Sequence, residues 1–156
     1  KVLRLPSLVK RGDRLPVLQV RGLNTNTVGA VRKAMSIIEN RKIEHKMKGL
    51  SYYRPWIILL TDGNPNPCSQ SELQSLLYDV SHSISENKFM LTAIGIGNSV
   101  DKEFLSAISN NNYHRIGQAN ISTFFQALSA SMTMKYGNGP QDNLSIELDN
   151  ELQDDI

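Results

Sequence analysis

Residues 55–67 read PWIILLTDGNPNP, an apolar run that leads directly into a polar loop. All five residues from 56 to 60 are apolar. Continuous rather than alternating apolarity is typical of a strand that is covered on both faces, as in a parallel sheet. The loop begins with Thr61 and Asp62 and continues with glycine, asparagine and proline, which favour tight turns. The stretch therefore predicts a buried strand with a rigid polar loop at its carboxyl end.

Helix and strand patterns alternate along the chain on both sides of this stretch. Before it, apolar residues recur at helical spacing over 28–38, with Thr25 or Thr27 expected to cap the helix and Gly49 expected to end it. Extended segments are expected within residues 1–21. After it, the patterns predict a helix over 73–84 capped by Ser69 or Ser71, a buried strand over 89–97, a short helix opened by Asp101, a short strand near 114–116 and a helix from 121 to 132.

This alternation predicts an α/β fold, Rossmann-like, with a mainly parallel sheet and helices on both faces. We expect one domain over residues 1–136 and a polar, acidic tail over 137–156. Within the tail, Leu144, Ile146 and Leu148 alternate with polar residues, so an edge strand is the alternative. Ligands of such sheets bind outside the carboxyl ends of the strands, which directs attention to the loop at Asp62.

Composition excludes several classes of protein. The chain has 156 residues, of which 40% are apolar and 21% charged, as in an ordinary globular domain. No apolar run approaches 18 residues, so we expect no membrane span. The single cysteine, Cys68, excludes an internal disulfide framework and a multi-cysteine zinc site. No secretory signal is recognisable, and we expect a cytoplasmic location.

Charge is distributed unevenly along the chain. Residues 1–54 hold 13 of the 17 Lys and Arg and only three acids. Residues 142–156 hold six acids and no base. The basic residues 1–54 and the acidic residues 142–156 are expected either to attract binding partners of opposite charge or to lie against each other.

Four stretches resemble the von Willebrand factor type A family, in the family's order along the chain. The strand lead Arg54-Pro55-Trp56 and the loop at Thr61-Asp62-Gly63 resemble the family's Thr-Asp-Gly region, most closely in small bacterial proteins associated with tellurium resistance. The other matching stretches are 22–31, 92–105 and 124–132. The resemblance implies a protein-interaction domain of a bacterial, cytoplasmic protein with a role in tellurium or metal-stress resistance, and not an enzyme.

The resemblance also implies a metal-ion-dependent adhesion site. Its oxygen ligands come from three loops, and Thr25 and Asp62 match the second and third of these. Mg²⁺ prefers about six oxygen ligands and keeps waters readily, so it can recruit a carboxylate of a partner protein. Asn24 and Asn64, beside these ligands, are the predicted partner-contacting residues. For Asp62 and Asn64 the alternative is an ordinary turn residue, and for Thr25 it is a helix cap.

The first ligand motif of the family, Asp-x-Ser-x-Ser, does not precede Thr25. We therefore expect the chain to start near the family's third strand and its metal site to be partial. Residues 79–83 do spell Asp-x-Ser-x-Ser. They fall inside a helical pattern, where Asp79 and Ser83 share a face and Ser81 points elsewhere, so they are not expected to bind the metal ion.

Two other classes of function stay open. The basic region 1–54 could contact phosphates, although no interleaved aromatic residues favour nucleic-acid stacking and a solvated helix face is the usual explanation. A hydrolase that uses a metal ion at Asp62 is the weakest alternative, because no base or nucleophile accompanies that residue. Likewise, Gly95-x-Gly97 lacks the third glycine of a dinucleotide loop.

Overall fold

The computed structural model describes residues 12, 14, 25–61, 68–97, 100–117 and 121–136. Helices and strands alternate along these residues, and the α/β prediction is confirmed. The elements are α1 (Thr27–Met47), β1 (Trp56–Thr61), α2 (Gln70–Ser85), β2 (Met90–Ile96), α3 (Lys102–Ser109), β3 (Tyr113–Ile116) and α4 (Ile121–Tyr136).

The described strands form one parallel sheet in the order β1-β2-β3. Because side chains alternate across a strand, the sheet has two apolar faces. One face packs against α1, α2 and α3 around Leu76, Leu91 and Ile108. The other packs against α4 around Ile94 and Phe124. Both faces of the sheet are therefore covered by helices, which explains why the strands read as continuous apolar runs.

Helix α1 begins at a different cap from the two predicted ones. Asn26 is the cap, and its side-chain oxygen accepts a hydrogen bond from the backbone N–H of Gly29 at 2.7 Å. Thr27 is the first helical residue and is buried, whereas Thr25 precedes the cap. The cap prediction for Thr25 or Thr27 is therefore wrong by one residue, because asparagine caps as well as threonine does.

The predicted end of α1 at Gly49 is confirmed. Gly49 has a φ of 63°, the left-handed conformation that glycine adopts without a Cβ clash. The N–H groups of Gly49 and Leu50 donate to the carbonyls of Lys46 and His45, at 3.1 and 2.9 Å. This pair of bonds is the Schellman arrangement, and it satisfies carbonyls that the helix end leaves free.

Helix α2 begins with a capping box at Ser69. The Ser69 hydroxyl accepts from the N–H of Glu72, and the Glu72 carboxylate accepts from the N–H of Ser69 at 3.0 Å. Hydrogen bonds from Ser69 also hold the pKa of Glu72 below its ordinary value. Of the two predicted caps, Ser69 is thus the correct one.

We expect Ser69→Ala to lower the free energy of unfolding by about 1 kcal/mol, because the cap hydroxyl is lost. The measurement is urea unfolding monitored by circular dichroism. Ser81→Ala is the matched control, since Ser81 is exposed within the same helix and alanine favours helices. An equal loss for both variants would show that the box contributes nothing.

A polar network holds the start of β1 in register with its neighbours. Arg54 donates from Nη2 to the carbonyls of Ile84 and Phe89, at 3.0 Å each. The Trp56 indole donates to the hydroxyl of Thr92 at 3.0 Å, and Asn112 donates to the same hydroxyl at 2.8 Å. The Arg54-Pro55-Trp56 lead therefore has a structural role across the three strands.

Burial of His114 in β3 predicts a pH-dependent stability. Desolvation lowers the pKa of His114 below its ordinary 6.5, so the folded protein binds that proton more weakly than the unfolded chain does. The stabilisation is present above the pKa of the unfolded chain and is lost as the pH falls through the lower pKa of the folded protein. We expect the urea midpoint to fall on acidification below neutral pH, and to fall less in His114→Gln. If the urea midpoint falls equally in the parent protein and in His114→Gln, other titratable groups cause the pH dependence.

Several predictions lie outside the described residues. They are the extended segments within 1–21 (apart from residues 12 and 14), the acidic tail over 137–156 and the alternative edge strand at Leu144, Ile146 and Leu148. Among the helices of the described ranges, none is both long and apolar enough to cross a bilayer.

Candidate functional site

Helix α1 begins at the edge of the sheet where the parallel strands have their carboxyl ends, called here the carboxyl edge. Arg41 and His45, in the last turns of α1, line one pocket with Pro55 and Trp56 at the start of β1. The end of α1 therefore lies at the amino edge of the sheet, and α1 runs antiparallel to β1. A 21-residue helix is about 31 Å long, so its start at Thr27, and Thr25 just before it, reach the opposite, carboxyl edge.

Two described residues mark the predicted metal site at that edge. Thr25 is exposed, and its carbonyl accepts from the N–H of Thr27 at 3.0 Å. Its hydroxyl makes no hydrogen bond to the described part of the chain. Thr61 is the last residue of β1 and is buried, which fixes the backbone directly before Asp62. The structure thus brings Thr25 and Thr61 to the same edge of the sheet.

The other predicted site residues, Asn24, Asp62 and Asn64, lie outside the described residues. Within the ranges that the structure describes, no three side chains of His, Cys, Asp or Glu are grouped so that they could hold a metal ion. The prediction for Thr25 and Asp62 as ligands therefore stays a prediction.

The Asp-x-Ser-x-Ser sequence at 79–83 is helical, as expected. It lies in α2, where Asp79 forms an ion pair with Arg32 at 2.9 Å and Ser83 is buried. Ser81 is exposed on a different side of the helix. The carboxylate and the two hydroxyls consequently do not converge, and this motif is not the family's first ligand loop.

Two glycines have neighbours so close that a side chain would collide with them. A Cβ on Gly29 would lie 2.7 Å from Nδ2 of Asn26, so a side chain there would disturb the cap that precedes α1. A Cβ on Gly95 would lie 2.9 Å from Cγ2 of Val100 and 3.0 Å from Leu105. Gly95 therefore lets α3 pack closely on β2, which gives this glycine a packing role.

Arg115 is a residue at the carboxyl edge that the sequence patterns did not indicate. Its Nε donates to the carbonyl of Gly97 at 2.8 Å, and the N–H of Gly97 donates to the carbonyl of Ile116 at 3.0 Å. These bonds join the ends of β2 and β3. Gly97 has a φ of 83°, which allows the chain to turn away from the sheet at that point.

The residues available at the edge fit Mg²⁺ in kind. A hydroxyl and a carboxylate are hard oxygen donors, and Mg²⁺ is bound in proteins through one or two carboxylates while it keeps several waters. The structure contributes an exposed Thr25, whose hydroxyl bonds to none of the described residues, and a buried strand end before Asp62.

The cations of α1 are largely engaged with acids of the same chain. Arg32 pairs with Asp79, Arg41 with Glu44, and Lys42 with Glu39. This pairing is typical of a solvated helix face. No observation in the described residues favours nucleic acid, and that alternative is not developed further.

The fold and the edge geometry agree with one family. The sequence model of the von Willebrand factor type A domain matches residues 13–131. Because the match spans most of the 156 residues, the chain belongs to this family. Domains of the family generally mediate protein–protein interactions. No curated protein sequence matches the chain.

Proposed function

We propose that the domain binds a partner protein at the carboxyl edge of its sheet through a Mg²⁺ ion held by Thr25 and Asp62. The observation that supports this proposal is that Thr25, before α1, and the buried Thr61, at the end of β1, lie at one edge of the sheet; Asp62 directly follows Thr61 in the sequence. Binding of a partner, not catalysis, is the activity that these two oxygen donors support.

The structure supports a ligand role for Thr25 more than a capping role. The side chain of Asn26 already accepts the N–H of Gly29, so the first turn of α1 does not need the Thr25 hydroxyl. That hydroxyl is exposed at the edge. A Thr25 hydroxyl and an Asp62 carboxylate leave most positions of an octahedral ion to waters and a partner.

When bound, Mg²⁺ supplies an electron-poor centre that a carboxylate of the partner completes. Asn24 and Asn64 are placed by sequence next to the two ligands, and we propose that their amides hydrogen-bond the partner around the metal ion. The partner accordingly presents an acidic side chain surrounded by polar groups.

Titration of the full chain with Mg²⁺ alone tests the metal site. We expect weak, saturable heat of binding by calorimetry in the parent protein and none in Asp62→Ala, because the only proposed carboxylate ligand is lost. Thr25→Val, which keeps the shape and removes the hydroxyl, is expected to weaken binding about 10-fold. Asp79→Ala is the control, since Asp79 is paired with Arg32 in α2. Equal binding by the parent and Asp62→Ala would reject the site.

The resemblance of the Arg54-Pro55-Trp56 strand lead supports a more specific role. We propose that the protein acts in the cytoplasm of a bacterium in resistance to tellurium or related metal stress. Loss of the gene is expected to increase sensitivity to tellurite, and the gene for Asp62→Ala is expected not to restore growth. If the gene for that variant fully restores growth on tellurite, the role in resistance does not depend on the metal site.

A further inference from the structure

A pocket at the amino edge of the sheet lies on the opposite side of the domain from the proposed metal site. It has a volume of about 280 Å³. Its lining includes Ile38 and His45 of α1, Tyr52 and Tyr53 of the connection, and Pro55 and Trp56 at the start of β1. Apolar and aromatic linings of this kind are typical of sites that receive an apolar side chain.

The pocket belongs to an unusually apolar part of the surface. The end of α1 and the connection to β1 hold five of the seven large apolar side chains that are exposed in the described residues. Two of them, Tyr52 and Tyr53, are 49% and 44% exposed at the pocket itself. Exposed apolar side chains concentrated in one segment are typical of an interaction site.

A residue that lines the same pocket carries an unsatisfied polar atom. Nδ1 of His45 is buried and has no hydrogen-bond partner among the residues that the structure describes. The His45 ring meets Tyr52 edge to face, with 5.8 Å between the ring centroids. Buried polar atoms ordinarily find a partner, so an occupant that brings a hydrogen-bonding group is favoured.

Positive charge surrounds the pocket. Residues 37–48 hold four Lys and Arg against two Glu. Arg41 and Lys42 line the pocket, and each pairs with one of those two acids. Lys46 and Lys48, in the last turn and the cap of α1, have no ion pair within the described ranges. The occupant that this surface fits is therefore acidic as well as apolar.

The acidic tail of the chain, residues 137–156, has that chemistry. It holds six acids and no base. Leu144, Ile146 and Leu148 alternate with polar residues that include Glu147. In an extended conformation, the three apolar side chains share one face and the alternate residues point away from it.

The last described helix, α4, ends at the edge of the sheet where the pocket lies. Only four residues separate the end of β3 from α4, so α4 starts at the carboxyl edge, and its 16 residues span about 24 Å back to the amino edge. From Tyr136, eight further residues reach Leu144 and extend up to about 27 Å. That length exceeds the spacing of about 10 Å between β1 and β3.

We propose that the aromatic pocket at the end of α1 binds the acidic tail of the same chain. Leu144, Ile146 and Leu148 pack on Tyr52, Tyr53 and Trp56, and the tail acids approach Lys46 and Lys48. Because the tail is tethered, its effective concentration at the pocket is on the order of millimolar, which allows a weak contact to stay formed. Any acidic, apolar segment of another protein would have to displace it.

Trp56 provides the readout, because it is the only tryptophan in the chain and it lines the pocket. Acrylamide quenching of its fluorescence is measured in the full chain and in the triple variant L144S/I146S/L148S. We expect quenching to increase in the triple variant, and a synthetic peptide of residues 142–156 to restore the protection. Unchanged quenching in the triple variant, or a peptide that does not protect Trp56, overturns the proposal.

Charge reversal tests the same contact from both sides. K46E/K48E is expected to lose the protection of Trp56, and adding E147K/D149K to that variant is expected to regain it. Lys33→Glu is the matched control, because Lys33 is exposed on the same helix and does not line the pocket. A loss of protection in Lys33→Glu equal to that in K46E/K48E, or protection that falls on dilution of the protein, overturns the intramolecular contact.

Discussion

Replacing Leu76 with alanine is expected to lower the free energy of unfolding by about 2–5 kcal/mol, one of the two largest effects of any substitution considered for this domain. The Leu76 side chain is fully buried. It belongs to the cluster formed by α1, α2, α3 and the sheet, together with Val31 and Leu91. Alanine would leave a cavity at the point where three helices meet the sheet.

This effect is measured as the urea midpoint and slope of the full chain. Leu50→Ala makes the same chemical change at a side chain that is 54% exposed, and is expected to cost less than about 0.5 kcal/mol. Because ordinary domains unfold with only about 5–15 kcal/mol, Leu76→Ala is expected to be partly unfolded at moderate temperature. Similar midpoints for the two variants would contradict the packing described for α2.

Arg54→Ala is expected to lower the free energy of unfolding by about 3 kcal/mol. One guanidinium nitrogen donates hydrogen bonds to the carbonyls of Ile84, at the end of α2, and Phe89, before β2. Its loss would remove a charged donor from both carbonyls in a partly buried place, where a charged donor contributes more than a neutral one does, although the Ile84 carbonyl would keep the N–H of Asn87 at 3.0 Å.

Arg54→Lys keeps the charge but not the planar fork of donors, so an intermediate loss is expected. Arg41→Ala is the matched control. Its ion pair with Glu44 is exposed, and such pairs contribute less than about 1 kcal/mol. If thermal unfolding shows the same midpoint for Arg54→Ala and Arg41→Ala, the bonds across the α2–β2 connection are not important for stability.

The helices and strands could be predicted from sequence because their signals are local. The run at 56–60, the stripe at 73–84 and the caps at Ser69 and Asp101 each depend on residues a few positions apart. The side chain of Asp101 accepts from the N–H of Phe104 at 2.9 Å, as its position predicted. Local signals fail only where neighbours compete, as at Thr25, Asn26 and Thr27.

The long-range contacts could not be predicted in the same way. Arg54 bonds to carbonyls 30 and 35 residues away, and its partners are backbone atoms that carry no sequence signal. Asn112 and Trp56 share the hydroxyl of Thr92 only because the three strands adopt one register.

The candidate site shows the same limit. The resemblance indicated Thr25 and Asp62, and the fold confirms that the start of α1 and the end of β1 reach one edge of the sheet. The pocket at the opposite edge combines residues 37–56 from a helix, a connection and a strand. No periodic sequence pattern links those residues, so the pocket could not be predicted from the sequence and is seen only in the structure.

The most direct test of the central proposal uses Mn²⁺ as a paramagnetic substitute for Mg²⁺, with amide NMR spectra of the full chain. If the ion binds at Thr25 and Asp62, amides at the carboxyl edge, including Thr25, Thr61 and Gly97, should broaden first. The same amides should stay sharp in Asp62→Ala. Broadening confined to the acidic tail or to the amino edge near His45, with no effect at Thr25 and Thr61, would contradict a metal-dependent binding site at the carboxyl edge.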